Sequence, residues 1–209
     1  MKKIARSAAP KAFTDLVDGP VCPVNWESFR NNHHDIYLMI RNQLLDDQKM
    51  TSGYTEIPLD PNEDIHIDHF RKKGMFGVEE LFNWENFVVD ERENSRYGAG
   101  YKDSHVDSKE IYNDLINPVI DDPESYLSYM EDGTIIPKRD LSDSAMIQKA
   151  VTTINIFNLN HQLLRDKRGA LIQAIKPLKG GGLNKDDACE CMRHVGLFSI
   201  IDFVYSEKN

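Results

Sequence analysis

The sequence is poor in cysteine. Its 209 residues hold three, Cys22, Cys189 and Cys191. No C-x-x-C pair exists, so neither a disulfide framework nor a four-cysteine zinc site is available. Cys189 and Cys191 are spaced C-x-C, which on a helix does not converge on one metal. Long apolar runs are missing too. No stretch reaches the roughly 18 apolar residues of a membrane span. The start "MKKIARSAAPKAF" has basic residues but not the apolar centre of a secretory signal. A cytoplasmic, reducing location is therefore the expectation. A positive balance is also absent. The net charge of −9 argues against a protein coated by nucleic acid over its whole surface. It leaves room for a local basic site. No internal repeat or low-complexity segment is visible.

What is present suits one globular domain with an appendage, or two small ones: 40% of residues are hydrophobic and 28% charged. Residues 1–23 are broken by Pro10, Pro20 and Pro23. From Trp26 to Gln48, the residues Trp26, Phe29, Ile36, Ile40, Leu44 and Leu45 fall near helical spacing, which predicts one or two helices. "SGYTEIPLDPNED" reads as a turn or loop. "IHIDHF" then alternates with period two, as a half-buried strand does. "NWENFVVD" is a second strand candidate. "ERENSRYGAGYKDSH" opens polar and glycine-rich and enters a helix in its later part. "EDGT" predicts a hairpin turn between two apolar segments. A helix follows with Ser142 and Asp143 as N-cap candidates and an apolar face of Ala145, Ile147, Ala150, Val151 and Ile154. "HQLLRDKRGALIQAIKPL" is the next helix, ended by Pro177. "KGGGLNKDD" reads as a hinge, and "ACECMRHVGLFSIIDFVYS" as a terminal helix. The expected class is α+β, mainly helical.

The chemistry concentrates at residues 64–73, "DIHIDHFRKK". Phosphodiester hydrolysis needs a water made nucleophilic at neutral pH and a cation to balance charge on the leaving oxygen. A histidine serves as base, and an aspartate beside it as a hard oxygen ligand for Mg²⁺ or a similar ion. Asp68 and His69 are adjacent on a strand and so point to opposite faces. A twist or bulge is needed to bring both to one phosphate. His66 shares the strand face of Asp68. Arg71, Lys72 and Lys73 follow directly and suit phosphate contact, though a solvated basic face explains them as well. "NNHH" at 31–34 reads as an exposed helix face.

These residues resemble the HNH endonuclease superfamily, and within it the PtuB-like nuclease subunit of Septu and retron anti-phage systems. "IDHFRKK" resembles the family's I-E/D-H-F-R-P-K signature. "FNWENFVV" resembles its D-W-x-N-L segment, with the middle Asn of HNH at Asn86. "LINPVIDDPESYLSYMEDGTIIPK", "AVTTINIFNLNHQLLRDKR" and the opening "IARSAAPKAF" resemble further family segments. The likeness runs from about Lys3 to Arg168. It implies a ββα-metal core embedded between helices, with His69 and Asn86 catalytic and Asp68 a metal ligand. Lys102 aligns with the family's usual lysine. That places Ala99 and Asp103 at the remaining ligand positions, so Asp103 is a candidate ligand and His105 a substitute. Arg71, Lys72, Lys73 and Lys102 become candidate nucleic-acid contacts.

The implied cofactor is Mg²⁺ or Mn²⁺. The implied partner, besides nucleic acid, is a PtuA-like ATPase of the ABC/SMC type, with "VGLFSIIDFVY" as one possible handle for it. The chain departs from the family at its zinc knuckle. Ser52 and Thr55 stand where a C-x-Y-C-E segment has cysteines, and no cysteine lies near "VVDE" or "RYGAG". No structural zinc is expected. Packing around Tyr54, Tyr97 and Tyr101 is expected to hold the core instead. The resulting organisation is an N-terminal helical region (1–50), an HNH core (51–110), a hairpin with helices (111–178), and a hinge with a C-terminal helix (179–209). Two function classes remain. One is a metal-dependent nuclease that is the effector of a defence complex. The other is an HNH-fold adaptor that has lost cutting and binds nucleic acid or the ATPase.

Overall fold

Three short helices lead into the first strand of the computed structural model, which describes residues 1–63, 65–92 and 94–206. They are α1 (Lys11–Val17), α2 (Trp26–Asn32) and α3 (His34–Asp47). The Trp26–Gln48 segment is thus two helices, separated at His33, whose φ of −131° breaks the helical backbone. Asn25 caps α2, its side chain accepting the Ser28 N–H. β1 (Ile65–His69) pairs antiparallel with β2 (Phe87–Glu91). Between them lie α4 (Val78–Leu81) and a 3-10 turn at Trp84–Asn86. α5 (Gly98–His105) follows and leans on β2.

The β1–β2 ribbon separates two hydrophobic clusters, and the alternation of its residues decides which side each serves. Ile65, Ile67, Phe87 and Val89 join Phe13, Trp26, Phe29, Ile40, Leu44 and Leu45 of the N-terminal helices. Val88 joins the larger cluster built by the rest of the chain, with Tyr54 and the C-terminal helices. Each such side chain, fully buried, is worth about 1.5–3 kcal/mol. The outer edge of β2 is covered by a side chain. Gln48 accepts the Val89 N–H at 2.8 Å and donates to the Val89 carbonyl at 2.9 Å, standing in for a strand.

The second half is helical around a small hairpin, β3 (Leu127–Tyr129) with β4 (Ile135–Pro137), closed where "EDGT" stands. Then come α6 (Ser144–Ile156), α7 (Gln162–Gly180), α8 (Lys185–Cys191) and α9 (Phe198–Ser206). Asp143 is the α6 cap. The buried face of α6 is Ala150, Thr153 and Ile154; Ile147 and Val151 are exposed, contrary to the periodicity reading. α7 runs through Pro177 to Gly180 rather than ending there. The carbonyl that Pro177 leaves without its helical donor belongs to Gln173, an exposed residue. The buried Arg168 of α7 donates to the carbonyls of Gly133 and Leu159, at 2.6 and 2.7 Å, and so ties the hairpin to the helices.

The apolar terminal segment packs on its own chain. Ile200 and Ile201 are fully buried, so α9 is no free handle for a partner. Residues 207–209 of the expected C-terminal region lie outside the described residues. The class is α+β and mainly helical, and no described helix is long and apolar enough to cross a membrane.

Candidate active site

His69 ends β1 on the N-terminal side of the ribbon. Its ring packs edge-on against Trp26, at 4.4 Å between centroids, and against Phe87 at 5.1 Å. Its Nε2 lies 2.9 Å from the Leu81 carbonyl. A carbonyl only accepts, so Nε2 carries the proton and Nδ1 keeps the lone pair. Nδ1 is buried and has no hydrogen-bond partner. Burial holds the imidazole pKa down to about 4, helped by the charge of Lys73 and opposed by the Leu81 bond. The ring is therefore neutral at physiological pH, with one unoccupied acceptor atom.

The loop that supplies Leu81 is pinned by Asn86. The Asn86 Oδ1 accepts the Arg71 N–H at 2.7 Å, and its Nδ2 donates to the carbonyls of Glu80 at 2.9 Å and Arg71 at 3.3 Å. One buried amide thus clamps both ends of the 71–80 segment. Asn86→Ala leaves buried backbone groups unpaired, and an expected loss of about 1–3 kcal/mol follows. Urea denaturation measures it. Limited proteolysis is expected to cut first within 71–80.

Asp68 faces the other way. The β1–β2 register is one-to-one, from Ile65 opposite Glu91 to His69 opposite Phe87, with no bulge. With no bulge, Asp68 and His69, adjacent on the strand, lie on its opposite faces. The Asp68 Oδ2 accepts from the Tyr54 hydroxyl and from the Lys102 ammonium, both at 2.6 Å. Burial alone raises a carboxyl pKa, but the Lys102 charge, with His66, outweighs it and keeps Asp68 ionised below the usual range.

Lys102 corrects a sequence expectation. It is fully buried, donating also to the His69 carbonyl at 2.7 Å and the Phe70 carbonyl at 3.3 Å, and so is no surface contact for nucleic acid. Of the other basic residues, Arg71 pairs with Glu80, and Lys72 donates to the Asp103 carbonyl at 2.5 Å. Lys73 is exposed, with its ammonium 5.8 Å from the centroid of the Trp26 ring. A cavity of about 90 Å³ over His69 is lined by Arg71, Lys72 and Lys73.

The candidate metal ligands divide. Asp103 Oδ1 lies 3.2 Å from Lys102 Nζ, buried and without a hydrogen-bond partner. His66 Nδ1 is likewise buried and unpartnered, and both side chains interact electrostatically with Asp68. His105 is not brought to them. It stacks on Tyr101 at 3.7 Å and turns Nδ1 to the Tyr101 carbonyl at 2.8 Å. Among the described residues no three His, Cys, Asp or Glu side chains form a ready metal cage. Mg²⁺ asks for less, since it keeps several waters and uses one or two carboxylates plus substrate phosphate. The Asp103 oxygen, paired by charge with Lys102, and the unpartnered His66 nitrogen, both around Asp68, fit it in donor chemistry.

Where the family's zinc knuckle would stand, a hydrogen-bonded cluster holds the loop. Ser52 Oγ accepts the N–H groups of Tyr54 and Thr55, at 3.2 and 3.1 Å, and bonds Asp90. Asp90 Oδ2 accepts the Ala99 N–H at 2.7 Å, at the start of α5. Gly98 is required there: its φ is +71°, and a Cβ would lie 2.5 Å from that oxygen. Tyr54 and Tyr97 are buried as expected, but Tyr101 stands partly exposed on His105.

Burial raises the Asp90 pKa to about 7. A raised carboxyl contributes stability below its ordinary pKa, near 3.8, and loses it as pH rises through about 7. Asp90→Asn is expected to flatten that limb. The stability of wild type relative to the variant should fall between pH 4 and pH 7 in paired denaturation curves.

Sequence reasoning missed Asp90, Gln48 and the Leu81 carbonyl. Asp90 alone left a signal, as the one carboxylate in "VVDE" where the pattern asks for an inward residue.

No protein-family model matches this chain, and no curated protein matches it.

Proposed function

We propose that this chain is a metal-dependent endonuclease of the HNH type, hydrolysing phosphodiester bonds of nucleic acid with His69 as general base. One observation carries the reading. A neutral imidazole, held as a single tautomer by Leu81, keeps a buried and unpartnered Nδ1, and His69 lines a cavity whose wall carries Arg71, Lys72 and Lys73 beside Glu80. A histidine with only a packing role has no use for an orphaned acceptor, which costs about 1–3 kcal/mol to bury. The ribbon β1–β2 followed by α5, with Lys102 of α5 bonded to β1, is consistent with a ββα core.

In this mechanism the Nδ1 of His69 takes a proton from the attacking water. Lys73, and Arg71 in part, hold the phosphate by charge. Asn86 is a positioning residue that keeps the Leu81 carbonyl on Nε2, so the lone pair stays on Nδ1. Asp68, with His66 and Asp103, would hold the divalent ion, which would supply charge neutralisation at the phosphate and leaving oxygen; they lie across the ribbon from His69, so the strand end has to twist for both to meet one phosphate.

The test is cleavage of DNA and RNA in Mg²⁺ or Mn²⁺ against EDTA. Asp68→Asn is expected to raise the metal concentration needed for half-maximal rate at least about tenfold, with partial recovery in excess metal, because it removes a hard ligand rather than the base. Cleavage indifferent to EDTA and to Asp68→Asn would remove the metal from the proposal.

A second reading has its own support. Asp68 is already engaged by both Lys102 and Tyr54, as in a scaffold that has given up a metal ligand. An adaptor of this kind binds nucleic acid or a partner and cuts neither DNA nor RNA under any metal. In either reading the resemblance to PtuB-like proteins implies an ABC/SMC-type ATPase as the partner that restrains this subunit. Co-purification with such an ATPase is the expected result in both readings, and a lower cleavage rate in the complex than alone is expected in the first.

A further inference from the structure

We propose that the groove between α2 and the loop after β1 is a phosphate-binding subsite that receives a single strand of nucleic acid running on from the His69 cavity. The inference rests on the nuclease reading for the identity of the strand, but its test does not need cleavage.

The groove has a volume of about 610 Å³ and is lined by Trp26, Arg30, Asn31, Lys73, Gly74 and Leu81, with Glu27 the only acidic group on its wall among the described residues. Lys73, Gly74 and Leu81 also line the smaller cavity over His69. The two spaces therefore meet at Lys73, and a chain that enters one leads into the other. Gly74 shapes the junction. Its φ is +85°, and no atom lies within 4 Å of where a Cβ would be, so the loop turns sharply there with no side chain in the way.

Two cations face this groove, and among the described residues neither has an ion-pair partner. The guanidinium of Arg30 lies 5.9 Å from the Tyr37 ring centroid, and the ammonium of Lys73 lies 5.8 Å from that of Trp26. Aromatic faces support such cations without cancelling their charge. Arg30 and Lys73 are also near enough to repel: the Lys73 pKa is lowered first by partial loss of water around its ammonium, raised by Asp68 and Asp103, and lowered again by Arg30. An anion between them removes that repulsion. Glu27 does not serve, since it makes no ion pair with either. A phosphodiester does, and its neighbour along the strand then falls toward His69.

The strand must be unpaired. The His69 side chain lies at the foot of a narrow cavity and is 2% exposed. A duplex holds its phosphates on a stiff cylinder and cannot press one into so small a recess. A flexible strand bends into it, and a cationic groove that tracks the backbone is the usual means of holding one.

The experiment is fluorescence anisotropy in EDTA on the His69→Ala background, so no cleavage interferes. Short labelled single-stranded DNA, single-stranded RNA and duplex DNA serve as probes over a salt series. Both single strands are expected to bind more tightly than the duplex. Adding Arg30→Glu should weaken single-strand binding at least about tenfold. Adding Arg30→Gln should lower the slope of log K against log salt by about one. Lys73→Gln should do the same. Arg30 is exposed, and circular dichroism confirms that each variant is folded. Single-strand affinity unchanged by Arg30→Glu, or duplex bound as tightly as the single strand, overturns the subsite. A wild-type protein that never cleaves, but binds single strands through Arg30, refutes the nuclease reading and leaves the groove standing.

Discussion

Lys102→Met is expected to destabilise the protein by about 3–5 kcal/mol, the cost of leaving one partner of a buried ion pair alone. Methionine fills the volume of the lysine stem, so the loss reports the charge and not a cavity. Asp68 would keep only the Tyr54 hydroxyl, and the carbonyls of His69 and Phe70 would lose a donor. The pH dependence separates this from general damage. The wild-type Asp68 carboxyl is held below its ordinary value, so its contribution is present above pH 3.8 and is lost as pH falls through the lower folded pKa. Removing Lys102 takes that contribution away. The gap between wild type and variant should therefore be widest at neutral pH and narrow on acidification, as Asp68 takes up a proton. Asp68→Asn combined with Lys102→Met should recover much of the loss, since no charge is then stranded. Urea denaturation of the four proteins forms a double-mutant cycle. Equal losses at neutral and acid pH would show that Lys102 acts by packing alone.

The sequence was most legible where side chains carry a short-range pattern. "IHIDHF" alternates because one face meets the N-terminal helices and the other meets Tyr54 and Lys102, and β1 lies where the alternation puts it. "EDGT" closes a hairpin because Gly133, at φ +81°, sits where a Cβ would meet the α7 backbone. The α6 face was misread because apolar spacing does not say which neighbours arrive. Thr153 is buried there, bonding the Ile116 N–H, while Ile147 and Val151 face out. Pro177 failed as a stop because its missing donor falls near the end of a solvated helix.

At the site, the residues were legible and their partners were not. His69 stood out by residue type beside Asp68, and Asn86 only through the resemblance to the HNH superfamily. The Leu81 carbonyl that fixes the imidazole is a backbone group twelve residues on, and carries no mark in the sequence. Lys102 was read as a nucleic-acid contact from the resemblance, which aligns it with the family's usual lysine. Its burial follows only once α5 is laid across β1 beside Asp68.

His69→Ala is the second large effect. Loss of a general base costs about 10²- to 10⁴-fold in rate. Excess metal should not restore it, because the missing group moves a proton and holds no ion. Folding should survive in weakened form, since the cavity left between Trp26 and Phe87 is flanked by an otherwise intact aromatic cluster. The wild-type rate should hold steady from neutral pH down to the acidic range and fall only as the imidazole, with its pKa near 4, takes up a proton. A histidine at its ordinary value would lose activity much earlier, on the way down through pH 6.5.

The most direct measurement is single-turnover cleavage of single-stranded DNA and RNA in saturating Mn²⁺ by wild type and by His69→Ala, each shown folded by circular dichroism. Metal-dependent cleavage by wild type, reduced at least about 10²-fold in the variant, is the predicted result. Undiminished cleavage by folded His69→Ala, or no cleavage by wild type with either substrate, would contradict the account.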